Sequence, residues 1–171
     1  MNTNNRSCGD CTACCEGYLP GQAGVHSFYP GRKCFYLSDG VGCSIYKDRP
    51  EDPCKLYKCE WLNDNKNIPE WLKPNLSKVI ITKRIIGNME YFDMIEAGQK
   101  MDSNILSWFF FKYIDGTFPN ICYKISGGSN YFGSKDFIER MNTKNLIEPS
   151  DNYPVVSRNN NEHVLVQGSK K

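Results

Sequence analysis

No apolar run in this chain approaches the ~20 residues that a membrane-spanning helix needs. The longest, around Trp108-Phe109-Phe110-Phe111, is broken by Lys112 and Asp115, so no membrane role is expected. An excess of one charge is also missing. Lys and Arg total 21 against 19 Asp and Glu, a net charge of +2, and no basic run occurs before the terminal Lys170-Lys171. Composition therefore gives no ground for a nucleic-acid partner. The stretch Met1-Asn2-Thr3-Asn4-Asn5-Arg6 has no apolar signal core, and a cytoplasmic location is the expectation. Histidine is scarce, with only His26 and His163. No internal repeat is visible, and Gly127-Gly128-Ser129 lacks the Lys-Ser/Thr partner of a phosphate loop.

What the chain has instead is cysteine. Eight of nine fall within the first 59 residues, as Cys8-x-x-Cys11-x-x-Cys14-Cys15 and then Cys34, Cys43, Cys54 and Cys59, with Cys122 apart. Cytosolic thiols are kept reduced, so a tight pattern there reads as metal binding or catalysis rather than a disulfide framework. The spacing Cys8-x-x-Cys11-x-x-Cys14 matches the first three ligands of a bacterial ferredoxin run, although Cys15 and Glu16 follow where that run has three residues and Cys-Pro. Zinc asks for less: a Cys8-x-x-Cys11 knuckle completed by two distant cysteines gives a tetrahedron. Neighbouring side chains in extended backbone point to opposite sides, so Cys14 and Cys15 are expected to serve different centres. Eight thiols divide into two sets of four. One shared polynuclear cluster, or one metal with some thiols left free, are the rival arrangements.

Turn residues crowd the same region, from Gly9, Gly17 and Pro20 to Pro50 and Pro53. Regular elements cannot run far through them, and such a segment needs staples. Beyond it, a helical turn is predicted around Leu56 to Leu62, and another at Glu70-Trp71-Leu72 between Pro69 and Pro74. The β-branched run 77–86, a Gly87-Asn88 turn and Met89–Glu96 predict a hairpin. Asp102 or Ser103 caps a predicted helix to Tyr113, ended by Asp115-Gly116. Phe118 to Ile125 reads as a strand, 127–129 as a loop, and Lys135 to Met141 as a helix capped by Ser134. The expected fold class is α+β: a loop-rich, metal-stapled N-terminal region with a small antiparallel sheet and two or three helices. The expected division is a cysteine-rich metal-binding region over 1–74 and a small α+β region over 75–171 that shares one core with it.

The cysteines also carry a resemblance. Cys8-x-x-Cys11-x-x-Cys14-Cys15, a lone Cys34, and Gly42-Cys43-Ser-Ile-Tyr46-x-x-Arg49-Pro50-x-x-x-Cys54-x-x-Tyr57-x-Cys59-x-Trp61 resemble the CxxCxxCC, or YkgJ-like, family of zinc- or iron-chelating proteins. The likeness covers residues 8–61. The run from Arg49 to Cys54 is one residue longer than the family's usual spacing. A related motif occurs in flagellin lysine methylases, where it is associated with an iron–sulfur cluster. The resemblance implies metal binding by Cys8, Cys11, Cys14, Cys15, Cys34, Cys43, Cys54 and Cys59, with zinc or an iron–sulfur cluster as cofactor. It names no reaction.

Around that set, Arg49 reads as a residue that offsets thiolate charge, and Tyr46, Tyr57 and Trp61 as aromatic cover. His26 reads as a residue near the ligands rather than one of them, and His163 as solvated. Cys122, between Ile121 and Tyr123, reads as a small buried thiol. Asp93, Glu96 and Asp102 have no base or nucleophile beside them and make no active site. Two functions follow: a metal-binding protein with one or two cysteine-ligated centres and a redox or accessory role, or a non-enzymatic interaction or assembly protein whose metals are structural. Either is expected to meet a protein partner or assembly. The abundance of Asn, Ile and Lys fits an AT-rich genome such as that of a phage.

Overall fold

The computed structural model describes residues 6–64, 66–125, 128–147, 155–159 and 162–166. They divide into two compact units, and the division differs from the expected one near residue 74. The first unit takes Met1–Ala13 with Lys58–Lys144, and the second takes Cys14–Tyr57 with Asn145–Lys171. The reason lies in residues 58–74, whose short helices dock on the downstream sheet.

The second unit has little regular structure, as its glycines and prolines require. Strands β1 (Gly21–Ala23) and β2 (His26–Phe28) pair antiparallel, as do β3 (Leu37–Ser38) and β4 (Gly42–Cys43). Wide turns at Cys14–Tyr18 and Glu51–Lys55 carry cysteines. Gly17, inside the first of these turns, has φ +87°, and a β-carbon there would press on the carbonyl oxygens of Tyr29 and Arg32. Only glycine lets the chain pass that close. The buried cluster is small: Ala23, Phe28 and Cys34, flanked by Cys15, Tyr36, Leu37 and Cys54.

The first unit has a true core. Helix α1 (Glu60–Asn63) and helix α2 (Pro74–Ser77) lie against the next strand. Pro74, expected to stop the preceding Glu70–Leu72 turn, does so and also opens α2, because proline suits a first helical turn. Strands β5 (Val79–Ile86) and β6 (Met89–Glu96) form the predicted hairpin in register from Val79↔Glu96 to Ile86↔Met89. Strand β7 (Asn120–Ile125) joins β6 in parallel, and β8 (Gly128–Phe132) joins β7 antiparallel. The sheet is therefore mixed where an antiparallel one was expected. A parallel neighbour needs a crossover, and helix α3 (Ser103–Ile114) supplies it. Gly128 and Ser129, expected in a loop, begin β8, and the rest of that stretch lies outside the described residues.

Successive strand residues face opposite sides, and β6 shows the result. Phe92 meets Phe109 of α3 at a ring distance of 6.0 Å, while Tyr91 meets Phe137 of helix α4 (Lys135–Ile147) at 5.4 Å. The sheet thus lies between α3 and α4. Both caps are as expected: Asp102 accepts from the Asn104 N–H at 2.8 Å, and Ser134 Oγ from the Phe137 N–H at 3.3 Å. Asn120 ties the sheet to α4, donating to the Glu90 carbonyl and accepting from the Ser134 N–H. Strands β9 (Val155–Asn159) and β10 (Glu162–Val166) pair antiparallel in the second unit. The side chain of His163 lies outside the described residues. No helix among the described residues is long and apolar enough to cross a membrane.

Candidate metal centre

None of the nine cysteines is in a disulfide, and the eight of the N-terminal cluster are divided between the two units. The first unit holds Cys8, Cys11 and Cys59. Cys8 and Cys11 are the ends of one tight turn, closed by the Cys11 N–H on the Cys8 carbonyl at 2.8 Å, with Gly9 at φ +54°. Cys59 stands at the N-terminal edge of α1 and is buried. Burial pushes its thiol up to about 11. The backbone N–H groups of Leu62 and Trp61 pull the other way, and Cys11 and Cys8 are near enough to raise it further. A metal ion would reverse the balance, because a coordinating thiol gives up its proton.

The second unit holds Cys14, Cys15, Cys34, Cys43 and Cys54. Cys15 and Cys54 rest on the cluster that buries Cys34, and the Cys34 N–H donates to the Cys15 carbonyl at 2.8 Å. Burial raises the Cys54 thiol, Cys34 and Cys43 raise it further, and Arg49 lowers it. Cys43 is in β4, paired with Leu37. Cys14 shares the turn of Cys15. Among the described residues, no three His, Cys, Asp or Glu side chains stand in an arrangement that could hold an ion. Cys8 and Cys11 act electrostatically on Cys59, and Cys34 and Cys43 on Cys54, without forming a finished coordination sphere.

The residues expected around the thiols are placed unevenly. Arg49 stacks on Tyr46 at 4.0 Å and donates to its carbonyl at 3.3 Å. Tyr46 is itself exposed, so it supports Arg49 rather than covering sulfur. Trp61 is buried, with Arg6 at 4.8 Å and Lys73 at 5.3 Å from its ring. His26 lies flat on Phe35 at 4.1 Å. Asp93 pairs with Arg84 at 2.8 Å across the hairpin, a structural ion pair.

Cys122 is buried beneath α4 with Tyr91, Phe137 and Met141. Burial and then the Asp93 carboxylate push its thiol up from 9.0 to about 12. The folded chain therefore holds this proton more tightly than the unfolded one. The stability it contributes is complete below pH 9.0 and is lost as pH rises from there to about 12. Burial also raises the Tyr91 hydroxyl, in the same direction. Native protein in chelator at pH 8 is expected to leave Cys122 unalkylated by iodoacetamide while Cys8 and Cys11 react, as peptide mass spectrometry would show. Denaturant midpoints above pH 9 should fall less steeply for Cys122→Ala than for the parent chain.

Sequence reasoning missed Asp10, Lys73 and Asn75. Lys73 and Asn75 bond to Asp10 inside the Cys8–Cys11 turn, across 63 and 65 residues, a distance at which no local pattern gives a signal.

Comparison with protein-family models, curated proteins and solved structures gives no match. The likeness to the CxxCxxCC proteins rests on residues 8–61 of the sequence itself.

Proposed function

We propose that this chain is a metal-binding protein of the CxxCxxCC type with two cysteine-ligated centres. One draws on Cys8, Cys11 and Cys59, the other on the five thiols of the second unit, Cys14, Cys15, Cys34, Cys43 and Cys54. The observation that supports the reading is the division of the thiols: the Cys8–Cys11 turn and Cys59 fall in one unit, and Cys34, with Cys15 and Cys54 packed on its cluster, falls in the other. Soft thiolates suit zinc and iron–sulfur clusters above other centres. Zinc in closed thiolate sites would act as a staple, whereas iron–sulfur would add electron transfer. Arg49 and Lys73 supply positive charge near Cys54 and Cys11, where bound thiolates would concentrate negative charge.

Anaerobic purification without chelators, followed by metal and acid-labile sulfide assays, tests it. Zinc without sulfide, or iron with it, at one centre per thiol group supports the reading. A reduced, folded protein free of both would overturn it.

A second reading, an interaction or assembly protein with structural metals, is favoured by Phe111 and Ile114. These lie about one turn apart on α3 and are 68% and 74% exposed. Such pairs of large exposed apolar residues mark contact surfaces. A colourless zinc protein that elutes as a large complex favours this reading. A brown protein bleached by dithionite favours the redox role.

A further inference from the structure

The turn between Cys8 and Cys11 is held from outside by two residues, Lys73 and Asn75, through its own Asp10. Lys73 Nζ lies 2.6 Å from Asp10 Oδ1, and Asn75 Nδ2 lies 2.9 Å from Asp10 Oδ2. The same ammonium lies over the turn: a β-carbon added to Gly9 would be 3.8 Å from it. Its side chain is only 15% exposed, and it rests on the Trp61 ring two residues past Cys59. One clamp thus touches the segment of Cys8 and Cys11 and the helix that Cys59 opens.

We propose that Asp10 and Lys73 are positioning residues that set the metal affinity of the Cys8, Cys11 and Cys59 group. This rests on the reading that the group binds a metal. Asp10 is not a ligand in the proposal. Its carboxylate holds the two-cysteine turn in place against the segment of Lys73 and Asn75, so that less ordering is left for the ion to impose on binding. An exposed ion pair would do little alone. The effect is expected because the clamp acts on a ligand turn, and partners that orient ligands typically change metal affinity by about 10–100-fold.

The test is a double-mutant cycle in the full-length protein, with cadmium as the probe and cadmium NMR to separate the two centres. Asp10→Ala and Lys73→Met are each expected to weaken the first centre by about tenfold. The double variant should weaken it no further than one of them, and the second centre should keep its affinity. Lys73→Arg, which keeps charge and reach, should restore most of the loss, which a general defect in folding would not do. Unchanged affinity in both single variants, or equal weakening of both centres, overturns the clamp while leaving the metal reading intact. A parent protein that binds no cadmium at Cys8, Cys11 and Cys59 overturns the metal reading and the clamp with it.

Discussion

Chelation under reducing conditions is expected to unfold the second unit and spare the first. Amides of β1 to β4 should lose hydrogen-exchange protection, while those of β5 to β7 keep theirs. Among the described residues of the second unit, the buried side chains are Ala23, Phe28 and Cys34, and segments so poor in buried apolar surface rarely hold a fold unaided. Structural zinc in small thiolate sites contributes about 10–16 kcal/mol, as much as the whole stability of a typical domain. The first unit has its own interior, with Ile80, Met94, Phe109, Ile121 and Phe137 shielded from solvent. Full protection in β1 to β4 once every ion is removed would refute this account of how the second unit is held.

Phe109→Ala should have the largest effect of any single change in the first unit. The ring has no exposed surface and is flanked by Trp108 at 5.0 Å, Phe118 at 5.4 Å and Phe92 at 6.0 Å. Truncating a buried phenylalanine costs about 3–5 kcal/mol, from lost transfer energy and the cavity left behind. At the usual scaling, the melting midpoint should fall on the order of 15 °C or more. Phe111, two residues along the same helix, is 68% exposed, and Phe111→Ala should stay within about 0.5 kcal/mol. Thermal melts followed by near-ultraviolet circular dichroism would compare them. Equal losses would mean that α3 faces the sheet differently.

The two variants also show what the sequence makes legible. A helix with Asp102 before it and Asp115-Gly116 behind it carries its limits locally, as does a hairpin turning at Gly87-Asn88. These elements stand where the residues placed them. The parallel β6–β7 pair was not legible, because local composition does not say which distant strand becomes a neighbour. The same holds for the division of the chain. Residues 58–74 look like the end of the cysteine-rich region, yet α1 and α2 lie on β5. Among the thiols, the alternation of Cys14 and Cys15 suggested two centres that divide that pair, whereas both residues fall in the second unit. The bond from Lys73 to Asp10 spans 63 residues and left no mark on either segment.

The crossover through α3 has a consequence for how the chain is made. Residues Val79 to Glu96 zip together from a two-residue turn, a fast and local event. Tyr91 must wait for Asn120, its partner on β7, and that closure costs chain entropy before any contact rewards it. During synthesis β6 therefore has one bare edge while the helix and β7 are still emerging. That edge carries Phe92 and Met94, both buried in the finished protein. An unpaired apolar edge is a template for pairing with another nascent chain, so slow translation between residues 97 and 120 should lower soluble yield.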